Sequence, residues 1–181
     1  YKKQVVGRKM VAHIMLVGNS SWSMYNFRRG LIKSLLEKQY SVTIVAPNDD
    51  YSNNLKSLGC NFIAFPLTSY SVNLFKELYS IIRLAFIYKR NSPDIVFHYA
   101  IKPNIYGSFI CKFLDIPCIA ITTGLGYTFS AKTIIAKITF LLYKLTLKHS
   151  NEVWFLNKDD RNTFVSQKLI TPNKSMILKG E

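Results

Sequence analysis

The chain is predicted to fold as a doubly wound α/β domain, with one parallel sheet of about seven strands and helices on both faces. Three observations predict this. Short apolar runs and amphipathic stretches alternate almost without a break from Val11 to Leu178, the pattern of successive βαβ units. Most strand-length runs are continuously apolar, as strands buried on both faces are. The connections carry the capping and stopping residues that strand-to-helix turns need.

Val11–Val17 reads as the first strand, and Tyr25–Lys38 as a helix with Leu31, Ile32, Leu35 and Leu36 on one face. Ser41–Ala46 is a strand. Pro47-Asn-Asp-Asp50 is a turn able to cap a short helix over Tyr51–Leu58, which Gly59 stops. Asn61–Phe65 is a strand closed by Pro66, Asn73–Arg90 a long helix, and Asp94–Tyr99 a strand. Pro103–Phe113 is a helix with proline in its first turn. Pro117–Thr122, Glu152–Leu156 and Ser175–Leu178 complete the strands, with helices over Lys132–Lys148 and Asp159–Gln167 between them. Asn157 is placed to cap the last helix, and Asp159 and Asp160 suit its first turn. No repeat, low-complexity tract or internal linker interrupts the pattern, which predicts one domain.

Composition narrows the function. The 181 residues are 49% hydrophobic, which excludes a disordered chain. Twenty-four Lys and Arg against ten Asp and Glu leave a net charge of +14, which calls for an anionic partner. Nucleic acid is disfavoured, because no stacking platform or nucleic-acid motif is present. Cys60, Cys111 and Cys118 have no metal or redox spacing and read as buried thiols in a reducing compartment. No run is long and apolar enough to span a bilayer and no signal-peptide pattern is visible, so a soluble or peripheral protein is expected.

Ligands of an open parallel sheet collect at the carboxyl ends of its strands. The first candidate is the connection from Gly18 to Tyr25, with Trp22, Tyr25 and Phe27 beside Arg28 and Arg29. It offers apolar surface with fixed positive charge; the alternative is a plain connection whose aromatics pack inward. Gly18 lacks the glycine spacing of a dinucleotide fingerprint, and Asp49 and Asp50 read as helix caps, which disfavours a nicotinamide enzyme. His98 and Lys102 fall at or just past the fourth strand. There Lys102 can hold an anion and His98 can move a proton or donate to a sugar oxygen, unless they are a half-buried histidine and a solvated lysine. Thr123, Gly124 and Gly126 follow the fifth strand, where open backbone N–H groups admit a ligand or close a tight turn.

Two helices carry basic stripes. Lys76, Arg83 and Arg90 recur at seven-residue spacing beside Tyr79, Phe86 and Ile87, and Lys137, Lys144 and Lys148 share a face opposite Ile134, Ile138, Leu141 and Leu145. Such a stripe is either the solvated side of a surface helix or a helix lying on anionic lipid. The stripe Lys76, Arg83 and Arg90 is the candidate membrane-facing one.

Six segments carry a family resemblance in chain order: Val17-Gly-Asn-Ser-Ser-Trp-Ser-Met-Tyr-Asn-Phe-Arg28, Val45-Ala-Pro-Asn-Asp-Asp50, Pro93-Asp-Ile-Val-Phe-His98, Ile101-Lys-Pro-Asn-Ile-Tyr-Gly107, Thr122-Thr-Gly-Leu-Gly126 and Asn157-Lys-Asp-Asp160. Together the chain resembles the N-terminal half of bacterial family-4 glycosyltransferases of the GT-B fold. The nearest type extends undecaprenyl-diphosphate-linked glycans for capsule, O-antigen or glycoprotein assembly. The resemblance implies two Rossmann-like domains facing across a cleft. Residues 1–181 would form the acceptor-binding one, with the nucleotide-sugar-binding domain outside this chain, so that the fragment alone is inactive. It implies transfer with retention, no metal or other cofactor, and work at the inner face of the cytoplasmic membrane.

The resemblance also implies residue roles. Gly18, Asn19, Ser20, Ser21, Trp22, Tyr25, Arg28, Lys102 and Asn104 would hold a lipid-linked glycan acceptor. Thr123, Gly124, Leu125 and Gly126 would face the arriving donor, and His98 would stand at the catalytic position, placing the acceptor or transferred sugar. Thr122-Thr123-Gly124 lacks the histidine of the family's Thr-His-Gly pattern. The competing reading is a non-catalytic, acceptor-presenting subunit at the membrane surface that works with a separate catalytic chain.

Overall fold

The structure, a computed structural model, describes residues 11–67, 73–124 and 133–178. Its strands are β1 (His13–Val17), β2 (Ser41–Ala46), β3 (Asn61–Ala64), β4 (Ile95–Tyr99), β5 (Cys118–Thr122), β6 (Glu152–Phe155) and β7 (Ser175–Ile177). Helices α1 (Ser21–Glu37), α2 (Ser52–Ser57), α3 (Leu74–Asn91), α4 (Ile101–Leu114), α5 (Ile134–Thr146) and α6 (Lys158–Ser166) lie between them. All seven strands form one parallel sheet in the order β3-β2-β1-β4-β5-β6-β7.

Parallel neighbours need crossovers, and the helices supply them on both faces. Successive residues of β1 alternate between the two sides. Ile14 and Leu16 pack with Met24 and Ile32 of α1, whereas Met15 and Val17 pack with Leu84 and Tyr88 of α3 and Ile110 of α4. The second side continues under α5 and α6 through Ala120, Tyr143, Val153, Phe155 and Phe164. Burial on both faces is why the strands read as unbroken apolar runs. The β3-to-β4 connection carries the chain from one sheet edge to the far side of β1. Strand order therefore reverses between β1 and β4, and a crevice opens at their carboxyl ends.

Two helices begin earlier than expected. α1 starts at Ser21 rather than Tyr25, because Ser20 caps it by accepting the Ser23 N–H at 3.1 Å. Asp49 reinforces that start by accepting the Trp22 N–H at 3.0 Å. α4 starts at Ile101 rather than Pro103, and the proline fits its first turn because no N–H is needed there. The expected stop at Gly59, with φ of 93°, and the Asn157 cap, accepting the Asp160 N–H at 2.8 Å, are both present. Cys60, Cys111 and Cys118 are free and buried. Among the described residues no helix is long and apolar enough to cross a membrane.

The largest departure is the orientation of α5. Ile134, Ile138, Leu141 and Leu145 are about half exposed or more, and the buried line is Thr139, Tyr143 and Thr146. Thr146 tolerates burial because its hydroxyl donates to Leu142 O at 2.8 Å. The lysines sit beside the apolar line, not opposite it. α3 behaves similarly, burying Leu84 and Tyr88 while Leu74, Phe75, Leu78, Tyr79 and Phe86 face outward.

Candidate functional site

A cleft of about 390 Å³ opens at the carboxyl edge, where the strand order reverses. Asn19 lines it just before α1, Ser23, Met24, Phe27 and Arg28 from α1, Tyr99 from the end of β4, and Ala100, Thr123 and Leu156 from the residues that follow β4, β5 and β6. Three expected residues, Asn19, Arg28 and Thr123, therefore converge on one cavity.

Arg28 occupies the buried line of α1 between Met24 and Ile32 and is 5% exposed. Its guanidinium lies 4.7 Å from the centre of the Tyr99 ring, and its Nη1 donates to Phe27 O at 3.0 Å. A guanidinium over an aromatic ring is desolvated on that face and gains cation–π attraction. Phe27 is exposed at the cleft wall and meets exposed Trp22 edge-on at 5.4 Å, making an aromatic lip.

Ala100 holds φ of 76° and ψ of 169°, a region that glycine alone enters without strain. It is the residue that turns β4 into α4 at the cleft. Ala100→Gly is expected to raise stability by about 1 kcal/mol, since relieved strain exceeds the added chain entropy. Thermal melts check this; an unchanged or lower midpoint counts against stored strain.

Several expected contacts lie elsewhere. His98 is fully buried, with its Nε2 2.8 Å from the Tyr88 hydroxyl. Strand parity explains the placement: Tyr99 turns to the cleft side, so His98 turns to the α3 and α4 side. Burial pushes the Tyr88 phenol well up. The neighbouring Cys111 thiol is also pushed up, first by its hydrogen bond to Cys118 and then by burial. His98 is thus an internal post and does not reach the cleft.

Asn104 is also fully buried, its Nδ2 donating to Ile121 O at 3.1 Å to tie α4 to β5. Ser21 is fully buried and donates to Pro47 O at 2.6 Å. Lys102 sits on α4 rather than in a loop. Its Nζ donates to Glu77 Oε1 at 2.6 Å, and the Tyr106 hydroxyl donates to Glu77 Oε2. Burial first, and then Glu77, raise the Tyr106 phenol.

Gly18 packs under Met24, where an added Cβ would fall 2.6 Å from Sδ, and Ser20 is spent as the α1 cap. Tyr25 turns from the cleft toward Tyr51 and Arg29. Gly124, with φ of 122°, ends β5 in open space, and Leu125 and Gly126 lie outside the described residues. Of the basic stripe, Lys76 and Arg90 are exposed, whereas Arg83 Nη2 donates to Ala64 O at 3.4 Å and its guanidinium lies over Phe65. The sequence reading missed Ser23, Met24, Tyr99, Ala100 and Leu156. Tyr99 had a signal, its parity opposite His98; Ser23 and Met24 became legible only with the earlier start of α1. Among the described residues no three His, Cys, Asp or Glu gather as a metal site.

Comparisons with known proteins bear on the fold and the family. A glycosyl transferase 4-like family model matches residues 13–157. The chain is 28% identical over 172 residues to a Campylobacter jejuni enzyme, N,N'-diacetylbacillosaminyl-diphospho-undecaprenol alpha-1,3-N-acetylgalactosaminyltransferase. That match covers 92% of this chain and 46% of that enzyme, so the chain spans about half the relative's length. Among solved structures, a Rickettsia africae glycosyltransferase aligns at TM-score 0.68 and 15% identity, over 93% of this chain and 43% of that one. Acinetobacter baumannii MurG aligns at 0.61 and 13%, over 94% and 45%. A Methanocaldococcus jannaschii UDP-GlcNAc 2-epimerase aligns at 0.65 and 13%, over 92% and 45%. These structural likenesses show a shared Rossmann-like fold of the GT-B type, which serves more than one chemistry. With four-fifths of its length matched by the family model, the chain belongs to the glycosyl transferase 4-like family.

Proposed function

We propose that this chain is the acceptor-binding domain of a retaining glycosyltransferase. It would pass a sugar from a nucleotide-sugar donor to a lipid-linked diphosphate glycan at the inner face of the cytoplasmic membrane, in surface-polysaccharide or glycoprotein-glycan synthesis. The observation that carries this is the carboxyl-edge cleft with Arg28 stacked on Tyr99 at its wall, in a chain of this family. The Campylobacter relative is named for an undecaprenol diphosphate acceptor, which supports an acceptor of that class.

In this reading Arg28 meets the acceptor diphosphate, and Asn19 and Thr123 offer hydrogen bonds to sugar hydroxyls. The aromatic lip of Trp22 and Phe27 covers an apolar sugar face. The acceptor hydroxyl forms the new bond to the anomeric carbon and loses its proton, while the nucleoside diphosphate leaves with the old bond's electrons. The work of this domain is to fix that hydroxyl and exclude water as a competing nucleophile. No metal is assigned a part.

Arg28→Ala in the full-length enzyme is expected to raise the acceptor KM about tenfold or more, leaving the donor KM unchanged. Arg28→Lys keeps the charge but loses the planar stack and is expected to fall between. Initial-rate kinetics with each substrate varied decides; an unchanged acceptor KM would remove Arg28 from the site.

A further inference from the structure

The start of α1 is held by a residue from outside the helix. α1 has no Asp or Glu in its first turn, so nothing of its own answers the partial positive charge there. Asp49, in the connection after β2, supplies that charge. Its Oδ2 accepts the Trp22 N–H at 3.0 Å, and its Oδ1 accepts the Tyr51 N–H at 2.9 Å. The Asp49 N–H donates to Ser52 Oγ at 2.9 Å, and the Ser52 N–H donates to Asp49 O at 3.0 Å. Ser52 Oγ in turn donates to Ser21 Oγ at 3.3 Å, and Ser21 Oγ donates to Pro47 O at 2.6 Å. The turn from Pro47 to Ser52 is thereby strapped to the first turn of α1.

What this strap holds is exposed. Trp22 is 47% and Phe27 59% exposed, and their rings meet each other edge-on. Burial in a core does not set where these rings stand, so the backbone of the first turns of α1 must. A helix end frays when its first N–H groups lack acceptors. The Asp49 carboxylate removes that freedom at Trp22, and Asn26 Nδ2, donating to Trp22 O at 2.9 Å, holds the same residue from the next turn.

We propose that Asp49 is a positioning residue for the cleft: by tying the first turn of α1 to the end of β2, it holds the Trp22–Phe27 lip in place to receive a sugar. That the sugar is the acceptor's rests on the function proposed above, and the two can fail separately. Asp49 acts through Trp22 and does not itself touch the substrate. Without it, the incoming sugar must order the turn at the expense of its own binding free energy.

Initial rates of the full-length enzyme, with acceptor and donor varied in turn, test this. Asp49→Ala is expected to raise the acceptor KM about fivefold, the size of a lost helix cap, with kcat and the donor KM near wild type. Asp49→Asn keeps one acceptor oxygen in place of two and is expected to fall between. Asp50→Asn removes the same charge from an exposed neighbour outside the strap and is expected to match wild type. A role in folding alone would leave less active enzyme, lowering kcat and sparing both KM values. The double variant Asp49→Ala, Trp22→Ala is expected to have the acceptor KM of Trp22→Ala alone, because Asp49 then has no lip to hold. Multiplied effects in the double variant overturn the proposal. So does Asp49→Ala with both KM values unchanged, whatever Arg28→Ala shows about the acceptor. A donor KM that rises in both single variants, in place of the acceptor KM, keeps Asp49 as the positioning residue and overturns the acceptor reading of the cleft.

Discussion

Gly107→Ala is expected to lower the melting midpoint by about 6–12 °C, a loss of roughly 3 kcal/mol for a domain of this size. The reason is the close approach of α4 to β4. A Cβ at Gly107 would fall 2.1 Å from His98 Nε2 and 2.3 Å from Cδ2, far inside van der Waals contact. The imidazole has no open side to retreat to, since it is fully buried against the Tyr88 hydroxyl. Relief must come from displacing α4, which also carries Asn104 and the strained turn at Ala100. The double variant Gly107→Ala, His98→Ala is expected to melt above Gly107→Ala alone, because the added methyl then enters vacated space. Additive losses would show that the clash is not the cause.

His98→Ala alone is expected to cost about 2–4 kcal/mol, from the cavity it leaves and from the buried Tyr88 hydroxyl it strands. Its kinetic signature separates a post from a participant. Below the melting midpoint, the full-length enzyme carrying His98→Ala is expected to keep kcat within a few-fold of wild type. A general acid or base would instead lose about a hundredfold or more in kcat with the fold intact. That larger loss, measured where circular dichroism shows a native signal, would return His98 to the reaction centre.

Nearly every element was legible in the amino-acid pattern, because unbroken apolar runs and capping residues report local conformation. What was not legible depends on direction. Asn19, Ser20 and Ser21 all make acceptable caps, so α1 could start at several places, and the four-residue difference decides whether Trp22 and Met24 are loop or helix. β4 is apolar on both sides, so alternation cannot say which face holds His98 and which Tyr99. Only the covering helices decide that. Helical periodicity finds the apolar line of α5 but not the way it points. Thr139, Tyr143 and Thr146 fill the core side: the Thr146 hydroxyl donates to Leu142 O, and the Tyr143 ring packs against Phe164. Of the three residues the candidate site shared with the expectation, Asn19 and Thr123 follow strand ends, which can be read from sequence, whereas Arg28 lies on the buried line of α1.

The central place of β1 has a consequence for synthesis. It pairs with β2 on one side and β4 on the other, and His13 N–H donates to Asp94 Oδ2 at 2.7 Å across 81 positions. On a ribosome adding about 5–20 residues per second, β4 emerges roughly 4–16 s after β1. Through that interval the strand destined for the middle of the sheet presents one apolar, unpaired edge, and a nascent chain in that state is a natural client for a holding chaperone.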